Sequence, residues 1–266
     1  MKVVLITGAS SGIGKAIGDY LFTLGYTVVG TSRNPSQVSN SRFPLVALEI
    51  RSAESITQCV DAVVQQYGRI DVLINNAGVG ITGPLEEIPL DQIRANFETN
   101  FFGPIAIIKA VLPVMRQHGG GRILNITSIA GYMGLPFRSP YSASKGALEL
   151  ISEGLSMEVA RFGIRISCIA PGDFATNIAA GRYHAPVIPD SPYEQIYGDT
   201  LRTMNEHVDS GSDPGIMARA VASVLEADRP RLHYKVGSFM QKFSIILKRV
   251  LPDRMYEKML MKHYNL

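Results

Sequence analysis

The sequence predicts an α/β fold, a doubly wound and mostly parallel sheet of seven strands with helices on both faces. Short apolar, β-branched runs alternate along the chain with longer stretches of helical period. The first run, Val3 to Ile6, is apolar at every position, as a strand buried on both faces of a parallel sheet must be. A glycine-rich turn then joins this strand directly to the first helix.

Composition narrows the class. With 266 residues, 46% of them hydrophobic, the chain can bury one large core. Charged residues make up 18% and the net charge is +3, too mild and dispersed for a nucleic-acid partner, so a small molecule is expected instead. Cys59 and Cys168 stand far apart in apolar segments, which fits buried thiols in a reducing compartment better than a disulfide. No apolar run of transmembrane length is expected. The opening Lys2-Val3-Val4-Leu5-Ile6 is strand-like and too short for the apolar core of a signal peptide. A cytoplasmic location follows as an expectation.

After the first strand comes Thr7-Gly8-Ala9-Ser10-Ser11-Gly12-Ile13-Gly14, leading into a helix that runs through Leu24. Glycines let a backbone turn sharply and approach a pyrophosphate, whose charge rests on amides at the helix N-terminus. The spacing G-x-x-x-G-x-G departs from the general G-x-G-x-x-G fingerprint, and such a turn also has a purely structural reading. Its place between the first strand and first helix favours a nucleotide and makes the sheet Rossmann-like. Gly8, Ser10, Ser11, Gly12, Ile13 and Gly14 are therefore candidate cofactor residues.

A second strand, Thr27 to Gly30, ends in Thr31-Ser32-Arg33. About 20 residues past such glycines an NAD site holds a carboxylate for the ribose 2'-hydroxyl. Here the chain offers Ser32 and a guanidinium, and Arg33 suits a 2'-phosphate through forked, charge-assisted hydrogen bonds, with Ser11 as a further hydroxyl. NADP(H) is preferred over NAD(H). Arg33 can also be read as a solvated loop arginine.

Leu45 to Ile50 read as the third strand and residues 52 to 67 as a helix with Ile56, Val60, Val63, Val64 and Tyr67 on one face. Asp71 to Ile74 supply the fourth strand, which runs into Asn75-Asn76-Ala77-Gly78, small enough to pass under a cofactor. Residues 89 to 117 are helical, with an interruption expected at Asn100 to Pro104, since Gly and Pro disfavour an unbroken helix. Arg122 to Thr127 form the fifth strand and end at Ser128. In an open α/β sheet the ligand crevice lies beyond the carboxyl ends of the strands, which is where Ser128 falls.

Thirteen residues further on, Tyr141 and Lys145 stand one helical turn apart, on one face. A fixed positive charge beside a phenol favours phenolate, which suits Tyr141 to general acid or base work. Such a pair also arises by chance on a surface helix, so its weight comes from Ser128 in the same crevice. Ile164 to Ile169 form the sixth strand, ending at Pro171-Gly172-Asp173-Phe174-Ala175-Thr176. Residues 173 to 212 are rich in Pro, Tyr and Gly with little apolar periodicity and read as a substrate lid. Within it Tyr183, His184, Tyr193 and His207 read as exposed loop residues before ligand contacts. A helix at 213 to 227, capped by Ser212 or Asp213, and a seventh strand at 231 to 236 complete the sheet.

The glycine turn, Asn75 to Gly78, Asn100, Ser128, Tyr141, Lys145 and Pro171-Gly172 resemble, in order and spacing, the short-chain dehydrogenase/reductase family over residues 1 to 237. The run from Gly131 through Lys145 is most similar to the branch of 17β-hydroxysteroid and retinol dehydrogenases. By this resemblance Ser128 binds the substrate oxygen, Tyr141 exchanges its proton, Lys145 holds the nicotinamide ribose, and Asn100 positions a water behind Lys145. The resemblance also implies that Asn76, Ala77 and Gly78 line the cofactor and that Pro171, Gly172 and Thr176 close over it. Glu49 stands where the family usually has Asp at the adenine, with the Ile50 backbone beside it. No metal is required, and a homodimer or homotetramer is implied.

Met133, Leu135 and Phe137 ahead of Tyr141 favour an apolar substrate, steroid-, retinoid- or lipid-like, although they also read as core. The alternatives are a 3-oxoacyl-thioester or polyol reductase of the same family, or a non-catalytic NADP-binding scaffold or sensor. Residues 1 to 237 are expected to form one dinucleotide-binding and catalytic domain. Residues 238 to 266 form a helical extension packed on it, and from 231 onward eight Lys and Arg face two acidic residues. That tail reads as a lid or a subunit contact ahead of a membrane contact.

Overall fold

β1 (Val3–Ile6) is buried along its whole length, with Val4 and Ile6 facing one core and Val3 and Leu5 the other. That alternation sets the layers of the molecule. The computed structural model describes residues 1–174, 181–209, 212–264 and 266, and for 205–209 the backbone only. The strands that join β1 are β2 (Thr27–Ser32), β3 (Leu45–Ala47), β4 (Val72–Asn75), β6 (Gly121–Ile126), β7 (Ile164–Pro171) and β9 (His233–Val236). Their order is β3-β2-β1-β4-β6-β7-β9, and every neighbouring pair is parallel. The order reverses between β1 and β4, so a crevice opens there beyond the carboxyl ends of the strands.

On one face α1 (Gly12–Thr23) and α7 (Pro214–Glu226) bury Ile13, Ile17, Leu21, Met217, Val221 and Leu225 against the sheet. The other face is covered by α2 (Ala53–Tyr67), α4 (Gly103–Gln117) and part of α5 (Ser139–Val159). Local chemistry fixes the ends of these helices. Ser52 Oγ accepts from Ser55 N at 3.2 Å to start α2, Gly68 at φ +77° stops it, and Asp213 accepts from Gly215 N at 2.9 Å to start α7.

Four expectations need correction. β3 ends at Ala47 rather than Ile50, because its partner β2 ends at Ser32 and the last bond between them runs from Leu48 N to Ser32 O. The helical stretch at 89 to 117 is not broken at Gly103-Pro104. α3 (Leu90–Phe97) passes through one π-helical turn, Glu98–Phe102, into α4, whose first turn takes Pro104. The resulting run, Leu90–Gln117, is long and apolar enough by length and composition to cross a membrane, although no such run was expected. In the fold its second half lies on the sheet, with Ile107, Val111 and Met115 fully buried.

The third correction concerns residues 173 to 212, which carry more regular structure than a loop. β8 (Tyr183–His184) pairs with β5 (Ile81–Thr82), and α6 (Glu194–Asp209) buries Tyr197 and Met204. Tyr183 and His184 are half-buried in that strand, and Tyr193 donates to Glu86 at 3.0 Å; the side chain of His207 and all of Thr176 lie outside the described residues. Fourth, Phe137 does not join Met133 and Leu135. Its ring packs on Tyr197 at 5.4 Å, among Ile81 and Ile88. The tail forms α8 (Phe239–Val250), started by a capping box between Ser238 and Gln241, and α9 (Asp253–His263). Ile245 and Tyr256 are buried against Ile129 and Met133, so both tail helices lie over the segment that follows β6.

Candidate active site

The turn after β1 is held from below. Thr7 Oγ1 accepts from the amides of Asn76 and Ala77, each at 2.9 Å, and Asn76 Nδ2 donates to the carbonyls of Thr7 and Gly8 at 2.9 and 3.0 Å. Asn76 therefore straps the loop after β4 to the glycine turn, with Gly8 at φ +65° and Gly12 at φ +54° making the bend. Gly14 packs beneath, beside Asn76 and Gly8. Ser11 caps α1 without bonding its amides through its side chain, and the first turn of α1 carries no acidic residue. Free amides and the positive end of the helix dipole are left for an anion.

A cleft of about 820 Å³ opens over this turn. Gly8, Ser10, Ser11, Gly12 and Ile13 form its floor, Ser32 and Arg33 one end, and Asn76, Ala77 and Gly78 the side below β4. Glu49 and Ile50 line it too. The Glu49 carboxyl is held below its ordinary range, first by its hydrogen bond with Arg51 at 3.1 Å and less by Arg33 nearby. Donors for phosphate, a free guanidinium end and a turn shaped by positive φ make this cleft fit a dinucleotide.

At the inner end of the cleft stand Tyr141 and Lys145 of α5. Lys145 is 5% exposed, and Nζ donates to the Ile126 carbonyl at 3.0 Å. Burial pushes the Lys145 ammonium below its ordinary pKa, while Tyr141 and Glu149 oppose that shift. Asn100 is fully buried in the π-helical turn: Nδ2 donates to Val79 O at 2.9 Å and to Ser144 Oγ at 3.2 Å, and Oδ1 accepts from Val79 N at 2.8 Å. Its side chain thereby ties the loop after β4 to α5. Ser128 sits at the carboxyl end of β6, where Oγ accepts from Ala130 N at 3.1 Å.

A second cavity, of about 310 Å³, lies beyond Ser128 and Tyr141. Met133 and Leu135 line it together with Met240, Leu247, Met259 and Leu260 of the tail helices. Ile13, Tyr141 and Pro171 line both spaces, so the phenol stands at their junction. Gly172 falls in this second cavity, against Gln241. Ser128 faces the second cavity and Lys145 the first, which divides the expected set by task.

Sequence reasoning missed Arg138, Arg182 and Tyr264, which line the second cavity together with Asp173, a residue of the segment 171 to 176 expected over the cofactor. The Arg138 guanidinium lies over the Tyr141 ring at 5.3 Å. Its place as the N-cap residue of α5, one turn before Tyr141, was the available signal. Behind Lys145, buried Glu149 accepts from the Thr127 hydroxyl and from His233 Nδ1 at 2.7 Å. Cys168 Sγ lies within 4.8 Å of ligand atoms of Glu149 and His233, but both Glu149 oxygens are already engaged.

A family model described as short chain dehydrogenase matches residues 2–186. A 3-ketodihydrosphingosine reductase of Bacteroides thetaiotaomicron is 37% identical over 257 residues, covering 96% of this chain and 95% of that protein. Retinol dehydrogenase 8 of Bos taurus is 31% identical over 259 residues, 89% of this chain and 82% of its own length. Among solved structures, a short-chain dehydrogenase from Streptomyces avermitilis superposes with a TM-score of 0.84 at 32% identity, over 99% of this chain and 96% of that one.

Proposed function

The chain belongs to the short-chain dehydrogenase family, and from that premise we propose that it interconverts an alcohol and a carbonyl on an apolar, lipid-like substrate with NADP(H). One observation carries the reading. Tyr141 stands where a cleft fitted to a dinucleotide meets an apolar cavity, with Lys145 on the first side and Ser128 on the second. When bound, the nicotinamide supplies or accepts the hydride. Ser128 Oγ holds the substrate oxygen, and the Tyr141 hydroxyl gives that oxygen a proton on reduction or takes it on oxidation. Lys145, fixed on Ile126 O, keeps a positive charge beside the phenol. Asn100 acts through the backbone of Val79 and through Ser144, shaping the floor beneath Lys145.

Preference for NADP(H) rests on Ser32 and Arg33 at one end of the cleft and on Ser11 in its floor. An apolar substrate is supported by the walls that α8 and α9 add to the cavity, which also makes the tail a lid ahead of a membrane contact. The buried, unpaired thiols of Cys59, whose pKa burial pushes to about 11, and of Cys168 support a reducing, cytoplasmic compartment. Leu150 and Met157, 69% and 75% exposed on α5, support self-association through that helix, which gel filtration of the purified protein would detect. NADPH consumption across apolar ketones, retinal and sugars tests the activity itself. Turnover on the apolar carbonyls is expected, and activity confined to sugars would overturn the reading.

A further inference from the structure

The second cavity is apolar along most of its wall, yet it carries two guanidinium groups. Arg182 is 9% exposed, and its Nη1 has no hydrogen-bond partner among the described residues. Among the described residues neither Arg182 nor Arg138 forms an ion pair. Burial and the like charge of Arg138 both push Arg182 below its ordinary pKa, while Tyr141 and Asp173 act the other way. The carboxylate that lines the same cavity, Asp173, already receives Gln241 Nε2 on Oδ2 at 2.8 Å.

Burying a charge without a partner is costly, and a like charge nearby adds to that cost. A surface arginine escapes that cost by reaching into water. Arg182 cannot, because its stem is wedged against Gly80, where an added Cβ would come within 2.8 Å of Arg182 Cγ. An anion brought by the ligand would satisfy the free donor, neutralise the repulsion and gain charge-assisted hydrogen bonds in a largely apolar space. Arg138 lies over the Tyr141 ring, so that anion would sit close to the reacting carbon rather than at the far end of a long chain.

We propose that the cavity selects amphipathic substrates bearing a carboxylate or phosphate near the reacting carbonyl, held by Arg182 and Arg138. This inference rests on the apolar carbonyl reading of the same site, and the ligands below separate the two. The full chain saturated with NADP+ is titrated calorimetrically with decanoate, decyl phosphate, decanol and decylammonium. Decanoate or decyl phosphate should bind at least about ten-fold more tightly than decanol, with decylammonium weakest. The tighter of the two anions identifies carboxylate or phosphate as the natural group.

Arg182→Gln and Arg138→Gln should each weaken the anions about ten-fold and leave decanol and NADP+ unchanged, while Arg182→Lys, which keeps the charge but loses the fork, should fall between. Decanol binding as tightly as both anions would overturn the anion site and leave the apolar pocket standing. Failure of all four ligands to bind would overturn both readings. A parallel loss of NADP+ affinity in the glutamine variants would give the arginines to the cofactor and overturn the proposal. Arg182→Met, which preserves the stem while removing a buried charge, should melt no lower than the wild type; a large fall would assign the arginine a structural role instead.

Discussion

Lys145 Nζ donates to the Ile126 carbonyl at 3.0 Å, and this bond at the end of β6 holds an ammonium that is 5% exposed. Burial lowers the folded-state pKa of Lys145 below the 10.5 of the free side chain. The unfolded chain therefore binds the extra proton more readily in the window between the two values, and stability rises with pH across it. Below the folded pKa the burial penalty is fully present, and it fades as pH approaches 10.5. Melting curves of cofactor-free protein should show the wild type gaining on Lys145→Met as pH increases from 7 to 10. Parallel curves for the two would contradict this assignment.

Tyr141 is expected to contribute through its hydroxyl alone, since Phe keeps the ring that packs beneath Arg138. Loss of a general acid or base lowers turnover by about 10²–10⁴-fold. Tyr141→Phe should show that fall in kcat while binding NADPH within about two-fold of the wild type, because the cleft floor is built from the glycine turn. Near-normal turnover in this variant would remove Tyr141 from the mechanism.

Asn100 offers a contrast, since its effect passes through structure. Replacing it with Ala would leave the Val79 amide without its side-chain partner, leave the Val79 carbonyl to Asn96 Nδ2 alone at 2.9 Å, and open a buried space beside Ser144. A loss of about 2–4 kcal/mol follows, or a fall in Tm of roughly 5–10 °C. Thermal melts would detect it, and a Tm within a degree of the wild type would show that water replaces the side chain at no cost.

The seven strands of the sheet were legible because each is a short apolar run, and a run buried on both faces leaves a plain signature. Glycine turn, Ser128, Tyr141 and Lys145 were legible because their spacing is local and their order along the chain is distinctive. Less visible was α6, whose apolar positions Tyr197, Leu201 and Met204 do keep helical spacing but are interrupted by Gly198 and preceded by prolines. The end of β3 was invisible for another reason: Ser32 on the neighbouring strand decides it, not Leu48 or Glu49. Arg182 had no local signal at all. A single arginine in a loop looks solvated until the fold closes Gly80, Asp173 and the tail around it.

The proposed preference for NADP(H) is tested at the carboxyl end of β2, where Ser32 and Arg33 stand in place of an acidic residue. A guanidinium bonded to a 2'-phosphate contributes through charge-assisted hydrogen bonds worth about 1.5–3 kcal/mol, so its loss costs about ten-fold or more in affinity. Arg33→Ala should weaken NADPH by that factor and leave NADH nearly unchanged, as measured by fluorescence titration. Equal losses for both would show that Arg33 supports the cleft without reading the phosphate.

The tail makes the last prediction, because α9 reaches the substrate cavity without approaching the dinucleotide cleft. Met259 and Leu260 line the cavity, and Tyr256, 2% exposed, anchors the helix by donating its hydroxyl to Met133 Sδ at 2.8 Å. Met133 is itself a wall residue, so the anchor and the wall move together. Removing residues 253 to 266 would expose the cavity to water and withdraw two apolar side chains from the ligand, each worth about 1 kcal/mol or more of burial. An interaction made equally with bound substrate and transition state raises KM and spares kcat when it is lost. The truncated protein should therefore show KM for an apolar carbonyl raised about ten-fold or more, with kcat and the KM for NADPH little changed. Tyr256→Ala, which frees the anchor but keeps the helix, should move KM in the same direction by a smaller factor. If both variants keep the wild-type KM, α9 is not a wall of the working pocket.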